Sequence, residues 1–364
     1  MSPVLKYSTQ KRLIGMVRRM MNHIYRPQQK YIHRIKTGPT IPSSCLLAAP
    51  DSPQAGFEQL FDLYENPENE PRFATQIGDQ AIRPRMMPRI MPTMAKFFPR
   101  ITKAISKSFK TIESYFENFG DTPGENKILD PQQLWTDLTE FARVECDIAK
   151  IGFTELPPQL IFRDKAVLFR YVLVCIQEMH KEAIDLAPTF PAGKEIIRVY
   201  ATLGESVNKL ADWLRARGVR CQAHHPLHGL VLTPPLAGKA GLGWQGSMGL
   251  LITPEFGPLQ RLAPIFVESP IFTFTDSSEH RWIEEYCKKC GACRRICPTQ
   301  AIYPEKHVRI DNVPGIGQER ICIDITKCFP QFMTHFGCSL CMKVCPFSGG
   351  RSAYNACHQS LSEK

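Results

Sequence analysis

A mixed α/β or α+β protein ending in a separate cysteine-rich module is what this 364-residue sequence predicts, and three observations carry the prediction. Between residues 128 and 270, apolar positions alternate between helical and extended spacing. Ten of the fourteen cysteines fall after residue 286. No Asp or Glu precedes Asp51, so the formal net charge of +10 gathers toward the N-terminus. The length fits roughly two domains. A mean hydropathy of -0.21 with 22% charged residues excludes a wholly disordered chain. The longest apolar stretch, Ala166 to Ile176, is broken by Arg170 and falls short of the roughly 20 residues a bilayer needs.

Residues 1–125 read as a basic, Pro- and Met-rich extension. A second acid-free run between Asp79 and Glu113 carries Arg83, Arg85, Arg89, Lys96, Arg100, Lys103, Lys107 and Lys110 among Met, Phe and Ile. Such a run can lie on an anionic membrane surface or dock an acidic partner, although prolines at 84, 88, 92 and 99 divide it. A solvated extension wrapping the core explains the charge equally simply. Nucleic acid is a poor match, because no recognised binding motif accompanies the cations. The twin Arg18-Arg19 is followed by no apolar core, so no export signal is expected. Cysteines clustered for metal rather than disulfides place the protein in a reducing compartment, the cytoplasm, with peripheral membrane contact left open.

Residues 126–280 read as the compact domain. Pro131 to Ile151 has helical spacing, with Leu134, Leu138, Phe141 and Ala142 on one face. AVLFRYVLVCIQEM, from Ala166, reads as one buried strand. Lys194 to Arg217 is helical, striped by Ile197, Leu203, Val207, Leu210 and Leu214 and stopped by Gly218. VRCQA is a second strand, and Pro234-Pro235 precede a short helix and a Gly-rich turn.

Residues 281–364 carry the chemistry. Cys287, Cys290, Cys293 and Cys297-Pro298 have the spacing of a bacterial ferredoxin run, and Cys338, Cys341 and Cys345-Pro346 form a partial second copy. In such pairs the cysteine before each proline serves the other cluster. Cys287, Cys290, Cys293 and Cys345 are therefore expected on one [4Fe–4S] cluster, and Cys297, Cys338 and Cys341 on a second. The eighth ligand is favoured as Cys328, with His335 and Cys322 as alternatives. Zinc, the usual occupant of isolated Cys-x-x-Cys pairs, fits the crossed register poorly. Lys288, Lys289, Arg294 and Arg295 lie within the first run, where positive charge stabilises a reduced cluster and attracts an acidic electron donor.

Upstream lies LAGKAGLGWQGSMGLLITPEFGPLQRL, residues 236–262. This stretch resembles the signature of the epoxyqueuosine reductases and, equally, that of the cobalamin-dependent reductive dehalogenases. The resemblance spans roughly residues 165–350, ending in the dehalogenase-like GCSLCMKVCPFS. It implies an α+β, nitroreductase-like domain holding base-off cobalamin, followed by a bacterial-ferredoxin-like two-cluster domain. It further implies one cluster near the corrin, the other near the surface, and reduction of a small-molecule substrate by electrons from ferredoxin or flavodoxin. Gly241, Gly243, Gly246, Gly249, Thr253, Pro254 and Gly257 become the candidate cofactor-binding residues, the glycines permitting close approach to a large flat ligand.

The candidate catalytic residues are Tyr200, His228 and Ser247. Ser247 occupies the position of a Lys or Arg in both families, and Pro226-Leu227-His228 replaces the stretch holding the catalytic Asp of the epoxyqueuosine reductases. A proton donor is still needed; His228, His224, His225 or Tyr200, standing for the dehalogenases' tyrosine, can supply one. These departures keep a second function open, an electron-transfer or corrinoid-handling protein without reductive chemistry. A cobalamin-free flavin-type reductase is a third.

Overall fold

The computed structural model describes residues 46–48, 107, 111, 130–161, 166–226, 230–309, 319–335 and 337–362. The α+β class expected from the sequence is the class found. Its centre is a four-stranded antiparallel sheet, in the order β2 (Lys150–Glu155), β4 (Tyr171–Glu178), β8 (Gln260–Val267), β5 (Cys221–Ala223). Leu173 faces Ile265 and Cys175 faces Ala263 across the central pair. Near-continuous burial along β4 explains why it reads as an apolar run without alternation.

Two helices supply the hydrophobic cover. Helix α1 (Pro131–Cys146) buries Leu134, Leu138 and Ala142, and α2 (Phe190–Arg215) buries Leu203, Val207, Leu210 and Leu214. Ile196 and Val199 continue the α2 stripe, whereas Ile197 is only half-buried. The expected first helix ends five residues early. Asp147 adopts the left-handed conformation at φ 52° and donates its N–H to Ala142, and the chain resumes as edge strand β2. The expected strand from Ala166 is two strands, β3 (Ala166–Leu168) and β4, broken where Phe169 takes φ 85°. Helix α2 begins at Phe190 with Pro191 in its first turn, where the missing N–H costs nothing. Likewise Pro234 and Pro235 lie inside the first turn of α3 (Thr233–Lys239) rather than before it.

Most of the region expected as an N-terminal extension lies outside the described residues, but its described parts engage the domain. Strand β1 (Leu46–Ala48) pairs antiparallel with β3. Lys107 forms an ion pair with Glu205 on α2 at 2.5 Å, and Asn208 donates to the Thr111 carbonyl at 2.9 Å. No helix among the described residues is long and apolar enough to cross a membrane.

Strands β6 (Trp244–Gln245) and β7 (Leu251–Ile252) form a small hairpin that leads into the cysteine module. That module comprises α4 (Trp282–Cys290), α5 (Ala292–Ile296), the antiparallel pair β9 (Ile302–Arg309) and β10 (Glu319–Ile323), α6 (Ile325–Thr334), α7 (Leu340–Lys343) and α8 (Gly350–Ser362). Met248 and Ile252 from the hairpin share one apolar cluster with Ile283, Ile302, Phe347 and Tyr354 of the module. The glycine-rich segment is thus the seam between sheet and cysteines.

Candidate metal centre and its adjoining cavity

The cysteines converge because the backbone between them is forced to turn. Cys287 and Cys290 lie on α4; Gly291, at φ 58°, closes that helix by donating to the Cys287 carbonyl and starts α5, which carries Cys293. Cys297 and Cys345 each precede a proline, which disfavours helical backbone in the residue before it. Both are extended, at φ/ψ of -66°/113° and -67°/125°. Extended backbone at both positions is what the expected crossed register requires.

Electrostatic neighbourhoods show which thiols meet. Burial pushes the Cys345 thiol well above its ordinary value, and Cys287, Cys293 and Cys290 push it further. Burial brings Cys341 up to about 12, with Cys328, Cys293, Cys338 and Cys297 adding to the effect. Cys328 rises to about 11, first through burial and then through Cys297 and Cys338. Grouped by those neighbours, the described thiols fall into one quartet of Cys287, Cys290, Cys293 and Cys345 and another of Cys297, Cys328, Cys338 and Cys341. Cys293 and Cys341 are where the quartets adjoin. Burial raises the Cys297 thiol too, but N–H and hydroxyl donors outweigh it and hold the thiol below its ordinary value. Among them, the Ala301 N–H reaches its sulfur at 3.3 Å. Cys322 lies instead beneath Gly249, and the His335 ring is 3.2 Å from the Gln331 carbonyl; neither lines the space beside the second quartet.

That space is a cavity of about 340 Å³. All four thiol residues of the second quartet line it, facing Tyr200, Thr233, Gln260 and Arg261. Met248, Leu250, Phe332 and Met342 make the remaining wall largely apolar. The Arg261 guanidinium sits 5.0 Å from the Tyr200 ring centre, and Nη1 donates to the Gln260 carbonyl at 3.1 Å. Gln260 Nε2 donates to the Leu251 carbonyl at 2.7 Å, which leaves Gln260 Oε1 and Arg261 Nε buried without partners. Among the described residues no histidine lines the cavity.

The residues expected to contact a cofactor are placed differently. None of Gly241, Gly243, Gly246, Gly249, Thr253, Pro254 and Gly257 lines the cavity, nor does Ser247, which is half-buried. The tight approaches that several of these glycines permit are to the chain itself. A Cβ at Gly241 would stand 2.4 Å from the Thr275 carbonyl oxygen, and one at Gly257 would stand 2.1 Å from that of Phe347. At Gly243 the obstructing atom is the Ile252 carbonyl oxygen, at 2.1 Å. At Gly246 it is the Ile252 side chain at 2.6 Å, with the Cys287 sulfur at 3.5 Å. Thr253 and Gly257 exchange backbone hydrogen bonds at 2.9 and 3.0 Å, closing the turn. Glu255 within it binds Lys150 of β2 at 2.6 Å and Arg351 of α8. The segment Ile252–Gly257 clamps the sheet to the cysteine module.

Of the catalytic candidates, Tyr200 alone lines the cavity, and His228 lies outside the described residues. His224 and His225 are buried, the latter with its ring packed over Gly204. Sequence reasoning passed over Gln260 and Arg261. The signal was present in the last residues of the quoted signature, which open β8 ahead of its continuously buried stretch.

Residues 286–348 match the family described as a 4Fe-4S double cluster binding domain. A tetrachloroethene reductive dehalogenase of Dehalobacter restrictus is 26% identical over 270 residues, 70% of this chain and 48% of that protein. An epoxyqueuosine reductase of Francisella cf. novicida is 34% identical over 127 residues, 32% of each chain. The fold matches a solved structure described as a reductive dehalogenase whose structure suggests a mechanism for B12-dependent dehalogenation. The TM-score is 0.59 at 18% identity, covering 71% of this chain and 39% of that one. The chain spans about half, or less, of the length of the curated relatives cited.

Proposed function

We propose that this relative of the reductive dehalogenases and epoxyqueuosine reductases, an iron–sulfur protein with a 4Fe-4S double cluster domain, is a corrinoid-dependent reductase of a small molecule. One observation carries the reading: the second thiol quartet forms a wall of the cavity that Tyr200 and Arg261 also line. Cys287, Cys290, Cys293 and Cys345 would hold the outer cluster, and Cys297, Cys328, Cys338 and Cys341 the cluster facing the cavity. The donor set suits iron–sulfur chemistry, because all eight are thiols and iron binding would displace their protons. The cavity offers a corrin an apolar wall beside the thiols, and at about 340 Å³ it would admit only part of one; among the described residues no histidine lines it. When bound, cobalamin supplies a strongly reducing metal centre. This chain's own residues do the rest: the apolar wall excludes water, and Tyr200 holds a proton at Oη within the cavity.

Electrons would enter at the outer cluster. Lys288, Arg294 and Arg295 are exposed around it, and Ile296, 40% exposed, gives the same surface an apolar contact. An acidic low-potential donor of the ferredoxin or flavodoxin kind fits that face. Ser247, uncharged where the families carry a cation, favours a second reading: an electron-transfer or corrinoid-handling protein without its own reductive chemistry. Anaerobic reconstitution tests both. About eight irons per chain, stoichiometric cobalt and turnover of a halogenated or epoxide substrate with reduced ferredoxin are expected. Iron and cobalt without turnover would support the second reading, and the absence of cobalt would sink the first.

A further inference from the structure

We propose that Thr299 is a positioning residue for electron transfer, its hydroxyl donating to the Cys297 sulfur and raising the reduction potential of the cluster beside the cavity. The inference rests on the reading of Cys297 as a ligand of that cluster. The chain's two Cys-Pro turns begin alike. Cys297 and Cys345 are both extended, the Gln300 N–H donates to the Cys297 carbonyl at 3.1 Å, and the Ser348 N–H donates to the Cys345 carbonyl at 3.0 Å. They differ at the residue after the proline, Thr299 in one and Phe347 in the other. Phe347 is buried against Trp282 and Tyr286 and has no side-chain donor to offer the Cys345 sulfur. Thr299 brings Oγ1 to 3.6 Å from the Cys297 sulfur. Gln300 then takes φ 51°, and after this bend the Ala301 N–H reaches the same sulfur at 3.3 Å. In the free thiol either partner of the Thr299 contact can donate; once iron has displaced the thiol proton, only the hydroxyl can. Donors at a ligand sulfur stabilise the negative charge that reduction adds, so they raise the potential. Burial, the largest influence at both sulfurs, is outweighed by donors at Cys297 and prevails at Cys345. Arg294 and Arg295 favour reduction of the outer cluster, but they are exposed and screened by water and salt, whereas the hydroxyl acts at the ligand atom itself. Thr299 is half-buried and lines the cavity, the side toward which the cluster would pass its electron.

The test is a redox titration of anaerobically reconstituted protein followed by electron paramagnetic resonance. Thr299→Val removes the hydroxyl and keeps the branched shape. At unchanged iron content it should shift the reduction equilibrium of one cluster at least about fivefold toward the oxidised form, a fall of about 41 mV at ~59 mV per decade. The signal that moves should be the one that Cys328→Ser perturbs. Thr299→Ser keeps the donor and should retain at least half of the potential lost in Thr299→Val. A smaller fall, a rise, an equal shift of both clusters, or a Thr299→Ser that retains less than half would each overturn the proposal. If Thr299→Val assembles too little iron to titrate, Thr299→Ala against Thr299→Ser repeats the comparison with the hydroxyl as the difference, and the same limits apply. A fall confined to the other cluster would place Cys297 on the outer cluster and overturn the control proposed at the cavity. Failure to bind cobalt would sink the corrinoid reading while leaving this comparison to stand or fall separately.

Discussion

Gly257→Ala separates two roles for the Ile252–Gly257 turn, a clamp on the cysteine module or a ligand contact. At φ 55° an alanine costs about 1–2 kcal/mol. Its Cβ would also stand 2.1 Å from the Phe347 carbonyl oxygen. Both atoms belong to backbone-fixed positions, so no rotamer change relieves the overlap, and the turn must move off the short helix Pro346–Gly349 that follows Cys345. Overpacking of this kind adds about 1–3 kcal/mol. The expected total is roughly 2–5 kcal/mol, with loss of the outer cluster and hence about half the iron. Gly249→Ala is the control. Its φ is 84°, but the nearest atom to the new Cβ is that of Cys322 at 3.4 Å, an ordinary contact. It should therefore cost only the backbone share, with both clusters retained. Iron and sulfide content with urea midpoints, measured anaerobically, distinguish the variants. If Gly257→Ala keeps full iron and matches Gly249→Ala in stability, the clamp reasoning is refuted. If it does so while losing cobalamin, the turn is a cofactor contact after all.

Three further outcomes are expected. Cys328→Ser should perturb one cluster in electron paramagnetic resonance and Cys322→Ser neither; the opposite result would move the eighth ligand to Cys322. The buried Cys221 thiol is pushed up to about 12, mainly by burial, with Arg215 opposing and Asp212 reinforcing. Above about pH 8.5 the unfolded thiol ionises while the folded one keeps its proton, so stability should fall by about 1.4 kcal/mol per pH unit from this group alone. Cys221→Ala should flatten that slope relative to unmodified protein, and parallel slopes would contradict it. Arg294→Glu with Arg295→Glu should slow cluster reduction by reduced ferredoxin at least tenfold at low salt, yet leave reduction by dithionite unchanged. Equal slowing with both reductants would mean damage to the cluster rather than to docking.

What the sequence made legible was chemistry fixed by local rules. The proline after Cys297 and after Cys345 disfavours helical backbone in the preceding residue, and both cysteines are extended as those two dipeptides imply. The α2 stripe of Leu203, Val207, Leu210 and Leu214 follows from period alone, and Gly218, at φ 87°, stops that helix region as a C-terminal glycine should. Long-range geometry was not legible. Cys328 reaches the cavity wall from α6, the helix that follows β10 in the chain, and no spacing rule distinguishes it from Cys322. The helix that was expected to run through Ile151 failed on one residue: Asp147 in the left-handed region, which composition does not reveal.

The glycines make contacts that explain the seam. A missing Cβ reports that something approaches closely, but not what. At Gly243 and Gly257 the approaching group is a carbonyl of the same chain, one from β7 and one from the segment after Cys345. Those contacts dock the hairpin against the module, which lets Met248 and Ile252 enter its core while Leu250 and Leu251 reach the cavity. Glu255 reinforces the junction from the other side through Lys150 and Arg351. A cluster can pass electrons to a neighbouring site efficiently only if the two are held in fixed register, and a rigid seam achieves that where a flexible linker would not. The signature shared with the two reductase families therefore marks, in this chain, the joint that aligns the thiols with the cavity. Tyr200 of α2 and Arg261 of β8 line the cavity beside them.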